Sequence, residues 1–89
     1  MNDTISQRIS AVVKQFHGRF TWQYLEPVND RPPMYFVKRN DCESKWQISE
    51  FLLWNLMEPQ HETRTKLYAE LEIIRDMPLD RLKEVPNLL

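Results

Sequence analysis

The sequence predicts a single small α+β domain in which helices cover an antiparallel β-hairpin. Three observations predict it: an amphipathic stretch near the N-terminus, two short segments of alternating polarity around a turn-rich segment, and two helical stretches in the second half. The predicted order is α-β-β-α-α plus a short C-terminal helical turn, in one domain over residues 1–89. With 89 residues, 42% of them hydrophobic and 28% charged, the chain can build one core.

The first helix is predicted over residues 4–17. Its apolar residues recur at helical spacing and form one narrow stripe: Ile5, Ile9, Val12, Val13 and Phe16. Gly18, the only glycine in the chain, stands where a helix often ends with a residue in the left-handed conformation. Because the remaining surface of this helix is polar, we expect it to pack on one side only.

A hairpin is predicted from residues 19–26 and 34–39. Along the first segment, Phe20, Trp22 and Tyr24 alternate with more polar residues and should share one face. Along the second segment, Tyr35 and Val37 share a face with Arg39, whereas Met34 and Phe36 share the opposite face with Lys38. Residues 27–33 between them are rich in proline, asparagine and aspartate, which favour turns.

The aromatic residues of this hairpin allow two interpretations. In the first, they form the face of the sheet that lies under the helices. In the second, they form a base-stacking platform for nucleic acid, with contacts from Tyr35, Lys38 and Arg39. We favour the first, because a hairpin in a small domain must bury one face and this is the most apolar one. Nucleic acid is therefore an unlikely partner on this interpretation.

The stretch Trp46 to Met57 carries the strongest indication of function. Eight of its twelve residues are apolar: Trp46, Ile48, Phe51, Leu52, Leu53, Trp54, Leu56 and Met57. We expect a helix here that begins after a cap at Ser44 and ends before Pro59. Such a helix has no clean polar face, so it is either buried on two sides or meets a partner chain. We favour the partner and predict an interface at Trp46, Glu50, Leu53, Trp54 and Met57.

A further helix is predicted from about Pro59 to Met77, with a stripe of Leu67, Leu71 and Ile74. After Pro78, the spacing of Leu79, Leu82 and Val85 predicts a short amphipathic turn. This last stretch resembles a Leu-Pro-x-x-Arg-Leu-x-x-Val signature near the ends of some small bacterial antitoxins. It departs from that signature at Met77, where leucine is usual, and Pro86 would break the helix that continues there.

The composition excludes several classes of function. Twelve basic residues face thirteen acidic ones, so there is no basic block of the kind that holds a phosphate backbone. Cys42, His17 and His61 are single and widely spaced, which predicts no metal site and no nucleophile paired with a base. With one glycine the chain cannot form a phosphate-binding loop. We expect no catalytic residue, no cofactor and no small-molecule substrate.

The predicted function is that of a small non-enzymatic accessory or regulatory protein, of phage, plasmid or bacterial type, that binds a protein partner or forms a homodimer. The alternative is a nucleic-acid-associated module such as an antitoxin or a small transcriptional regulator. The longest apolar run is too short to cross a bilayer, and the polar N-terminus is unlike a signal peptide, so we expect a cytoplasmic protein without membrane contact.

Overall fold

The computed structural model describes residues 4–83 and confirms an α+β fold in which a helix is followed by an antiparallel sheet and then by helices. Over that range the elements are α1 (Thr4–Lys14), β1 (Phe20–Leu25), β2 (Met34–Arg39), β3 (Lys45–Gln47), α2 (Glu50–Leu56), a 3₁₀ turn (Glu62–Arg64), α3 (Lys66–Asp76) and α4 (Leu79–Leu82). The predicted C-terminal turn corresponds to α4, and Val85 and Pro86 lie outside the described residues.

The sheet has the order β1-β2-β3, and both pairs are antiparallel. Val37 at the centre of β2 lies opposite Trp22 on β1 and Trp46 on β3. The predicted alternation of the hairpin is confirmed in β2, where Tyr35 and Val37 are buried on one face. On β1, Phe20 is buried on the same face and Trp22 is half-buried, but Tyr24, expected beside them under the helices, is 41% exposed. Trp46 on β3 is buried on this face as well. That face of the sheet lines one side of the core.

The three longer helices pack on each other, α1 also packs on β1, and their buried residues share one core with the sheet. Each one contributes a stripe of buried residues: Ile9, Val12 and Val13 from α1, Leu52 and Leu56 from α2, and Leu67, Leu71 and Ile74 from α3. The stripes predicted for the first and last of these helices are therefore in the core. Phe16, after α1, joins them to the sheet through an edge contact with Phe20 at 5.2 Å between ring centroids.

The reversal between α1 and β1 depends on the glycine that the sequence predicted would end the helix. Gly18 has φ of +83°, and His17 before it also has a positive φ of 52°. A residue with a Cβ is strained in this left-handed region, and glycine is not. The helix itself ends earlier than expected, at Lys14, and a turn carries the chain to β1.

The prediction of one helix from Trp46 to Met57 is wrong. Residues 45–47 form β3, and the helix begins only at Glu50, capped by Ser49 and not by Ser44. The local cause is a period-2 pattern that four residues display: Trp46 and Ile48 are buried, while Lys45 and Gln47 are exposed. Pairing with β2 gives backbone partners to this segment and places the Trp46 ring in the core.

The predicted helix from Pro59 to Met77 also begins later than expected. The chain first forms the 3₁₀ turn, and α3 starts at Lys66 with the Thr65 hydroxyl accepting a hydrogen bond from Tyr68 N at 3.1 Å. In α4, Leu82 is buried. Leu79 is 54% exposed, although its spacing predicted that it would pack into the core.

Candidate protein-binding surface

The apolar residues of α2 divide between two sides of a seven-residue helix. The Ser49 hydroxyl accepts a hydrogen bond from Leu52 N at 3.3 Å and sets where the helix starts. Leu52 and Leu56, four residues apart, then face the core and are 1% exposed. The opposite side presents Trp54, which is 72% exposed.

Two further large apolar side chains flank Trp54 on this outer side. Phe51 is 59% exposed and Met57 is 46% exposed, and each lies three positions from Trp54, which is the spacing of neighbours on a helix surface. The Lys66 ammonium lies 5.7 Å from the centroid of the Phe51 ring. We call Phe51, Trp54 and Met57 the α2 patch. Exposed apolar residues are ordinary when scattered, whereas neighbouring ones on one helix side are a candidate contact surface.

A groove of about 620 Å³ lies beside the α2 patch and is mostly apolar. Its walls come from the start of α1, the loop before β2, the ends of β2 and β3, and α2. The lining residues are Ile5, Pro32, Pro33, Met34, Tyr35, Gln47, Ile48, Glu50, Leu53, Trp54 and Met57. Proline pairs have few accessible backbone states, so the Pro32–Pro33 wall is preorganised.

The structure brings together four of the five residues that the sequence predicted as an interface. Glu50, Leu53, Trp54 and Met57 all line the groove, with Glu50 exposed at its rim and Leu53 half-buried against the core. Trp46 is the exception. It is 2% exposed within the core, so its burial removes it from the predicted surface.

Two features of this surface are not among the interface residues predicted from the sequence. Phe51 is exposed beside Trp54, and its position three residues earlier on the same helix was a readable signal. The Pro32–Pro33 wall could not be found in that way, because its position against α2 depends on how the hairpin loop folds back toward the helices.

The three residues considered for nucleic-acid contact are separated by the sheet. Tyr35 and Arg39 are 6% and 7% exposed on the core face. Neither side chain can contact a nucleic acid that lies on the outer face of the sheet. The prediction of nucleic-acid contact at these two residues is therefore wrong for this face. Lys38 alone lies on the opposite, open face of β2, as the alternation predicted.

Arg39 has a structural role instead. Its guanidinium pairs with the Asp41 carboxylate, with Nε to Oδ1 at 2.5 Å and an N–H to Oδ2 at 3.0 Å. It also donates to the carbonyl oxygens of Ile74 at 2.7 Å and Met77 at 2.6 Å, at the C-terminus of α3. The hydrogen bond from Arg39, followed by its charge, lowers the pKa of Asp41 below its usual value, against an opposing effect of desolvation. This group therefore ties β2 to the last turn of α3.

A second ion pair is local to the end of α3. Arg75 and Asp76 are adjacent in sequence and pair at 3.0 Å between Nε and Oδ1. The hydrogen bond between them raises the pKa of Arg75 and lowers the pKa of Asp76. The Asp76 side chain is largely exposed, so the pair is screened by water and its contribution to stability is small.

The three residues considered for catalysis lie on different elements. Cys42 is half-buried in the β2–β3 turn, His17 is exposed after α1, and His61 is exposed, with Nδ1 accepting a hydrogen bond from Thr63 N at 3.2 Å. Within residues 4–83, no group of three or more histidine, cysteine or carboxylate side chains could hold a metal ion. No described helix is long and apolar enough to cross a membrane.

Comparison of this chain with protein-family models, with curated protein sequences and with solved structures found no match. Inference about function therefore comes from the surface itself.

Proposed function

We propose that this chain is a small non-enzymatic regulatory or accessory protein that acts by binding another protein chain through the α2 patch and its groove. A cytoplasmic location, expected from the sequence, belongs to the same proposal. The observation that carries it is the exposure of Trp54, 72% in a domain whose other apolar helix residues largely pack inward.

Physical chemistry supports this choice among the surfaces of the molecule. Burying a large apolar side chain stabilises a complex by roughly 1.5–3 kcal/mol relative to leaving it exposed. Tryptophan is enriched among the residues that dominate binding energy, especially beside a pocket that excludes water. The α2 patch presents such a ring next to a mostly apolar groove, with Glu50 exposed in the groove lining and Lys66 against Phe51 to supply a polar margin.

A second copy of the same chain is the first partner to test. A two-fold dimer needs one surface that is complementary to itself, with a projection and a recess side by side. The exposed Trp54 ring and the groove lie side by side on one face, which supports this choice. A stable interface buries about 800 Å² on each partner, so the groove walls must take part as well as the three side chains of the patch.

Light scattering on the purified chain tests the proposal. We expect a dimer at micromolar concentration and a monomer for Trp54→Glu, because a carboxylate in a desolvated contact is strongly unfavourable. Ile73→Glu is the matched control, since Ile73 is also highly exposed, at 59%, but lies on α3. It should leave the dimer intact, and circular dichroism should show both variants folded.

Three results would contradict parts of the proposal. A wild-type chain that stays monomeric at high micromolar concentration would exclude the homodimer. Equal loss of the dimer in both variants would exclude the α2 patch as its location. An unfolded Trp54→Glu would mean that Trp54 supports the fold of the chain itself.

A further inference from the structure

The outer face of the sheet is a second surface that the proposed function does not use. Its side chains form cross-strand rows: Gln23, Phe36 and Gln47 in one row, and Thr21, Lys38 and Lys45 in the next. Over residues 20–25, 34–39 and 45–47 the strands contain no aspartate or glutamate. A chain whose net charge is −1 therefore has one sheet face whose only charges are positive.

The two lysines of this face lie directly opposite each other. Lys38 on β2 pairs in register with Lys45 on β3, and like charges in this position destabilise a sheet. The ion pairs formed within residues 4–83 join Arg39 to Asp41 and Arg75 to Asp76, and so do not include either lysine. An anion bound between them would relieve this repulsion.

An aromatic ring stands beside the lysines on the central strand. Phe36 is half-buried, and the Lys45 ammonium lies 4.9 Å from the centroid of its ring. Lys45 also donates a hydrogen bond to Gln23 Oε1 at 3.3 Å, which holds it across the ring. A shallow depression of about 190 Å³ marks this place on the sheet, with Phe36, both lysines, Thr21 and Gln23 among its lining residues.

We propose that this open face binds single-stranded nucleic acid. A base stacks on the Phe36 ring, Gln23 and Gln47 on either side of it offer amide groups to the base edge, and Lys38 and Lys45 contact phosphates one row away. Lys45 is exposed and leaves the ring for the phosphate when a base arrives. Stacking on aromatic rings within a positive groove is how single strands are recognised without base pairing.

Charge complementarity calls for an anionic occupant, and the Phe36 ring with its flanking amides favours nucleic acid over an acidic protein segment. An acidic peptide would satisfy the two lysines, but it would have no use for a planar ring flanked by two amide side chains. Only two cations take part, so binding should be weak at physiological salt and should strengthen as salt is reduced.

Fluorescence anisotropy with labelled single strands of RNA and DNA of about ten nucleotides tests the proposal. We expect binding whose logarithm falls linearly with the logarithm of salt concentration. Each phosphate contact on a single strand contributes about 0.7 to that slope, so Lys38→Gln/Lys45→Gln should reduce it by about 1.4. Phe36→Leu, which keeps an apolar side chain but removes the ring, should weaken binding by about fivefold or more.

Matched variants separate this face from charge in general and from the α2 patch. Lys14→Gln/Lys83→Gln makes the same change in charge at two exposed lysines outside the sheet and should leave the affinity within about twofold. Trp54→Glu should also leave it unchanged, so this proposal and the proposed function can fail independently. If Phe36→Leu does not fold, Phe36→Tyr, which keeps the ring, should bind as the wild type does.

The proposal is overturned by any of three results. The first is no binding of single strands at low salt. The second is equal weakening by the two pairs of lysine substitutions. The third is a polyglutamate peptide that competes with the oligonucleotide while Phe36→Leu has no effect, since that would identify an acidic protein as the occupant.

Discussion

Trp46 and Trp54 lie eight positions apart in one apolar stretch, yet their surroundings are opposite. Trp46 is 2% exposed on the core face of the edge strand β3, and Trp54 is 72% exposed on the outer side of α2. The difference arises at Ser49, where the chain changes from a strand, with a period of two residues, to a helix, with a period of 3.6. On the strand side, alternate residues enter the core, whereas on the helix side Leu52 and Leu56 do so.

The comparison shows that an apolar side chain has no fixed role in so small a domain. The same residue type is buried in the core from β3 and exposed to solvent on α2. The local period and the position of the layers decide between the two roles. Substitutions within residues 46–57 should therefore separate effects on the stability of the fold from effects on the proposed binding.

The largest effect is expected at Trp46. Trp46→Ala should lower the free energy of unfolding by about 3–5 kcal/mol, because it removes a fully buried aromatic side chain and leaves a cavity. The matched control is Trp54→Ala, which should change the free energy of unfolding of the monomer by only about 0.5 kcal/mol, so both variants are compared at a concentration too low for dimers to form. Urea denaturation of the two variants measures both values. An equal loss of unfolding free energy in the two variants would show that Trp54 supports the fold as much as Trp46 does.

An intermediate effect is expected at Arg39, whose side chain joins the sheet to the end of α3. Arg39→Met keeps the apolar stem but leaves carbonyl oxygens at that helix end without their donor, which should cost about 1–3 kcal/mol. Arg39→Lys should recover part of the loss, since one ammonium cannot replace the fork of the guanidinium. Hydrogen exchange should show faster opening of the last turn of α3, and uniform loss of protection throughout α3 would argue against this local role.

The smallest effect is the contribution of Asp41 to the dependence of stability on pH. Its pKa is lowered in the folded chain, so the unfolded chain binds more protons in the acid range. Stability from this group is therefore present above about pH 4 and is lost as the pH falls through the folded pKa. Asp41→Asn should lower the melting temperature at pH 7 and have less effect near pH 2, measured by calorimetry. An equal effect at both values would show that the charge does not matter.

The elements that could be predicted from sequence are those whose signal is local. The stripe of α1, the alternation in the two hairpin strands and the stripe of α3 each follow from spacing within one element. The positive φ of Gly18 could be predicted because this conformation favours glycine, although α1 ends at Lys14 and Gly18 lies in the turn that follows. These signals need no knowledge of what each element packs against.

The third strand could not be predicted in the same way. Three residues are too few for a periodic pattern to be decisive, and apolar residues on both sides of Ser49 blend two periods into one stretch. The strand exists because β2 offers a partner along its second edge, which is a contact between distant parts of the fold. The same contact buried Trp46 and removed it from the predicted interface.

The sequence by itself determined the class of the fold, the alternation of the hairpin, and the presence of more apolar helix surface than one core can cover. Only the tertiary structure decided which side of α2 faces outward, that Pro32 and Pro33 form a groove wall beside it, and that Lys38 lies opposite Lys45. The physical reason is that periodicity depends on neighbours along the chain. A surface or a cross-strand pair depends instead on which elements meet in space, and this is decided by the packing of the whole core.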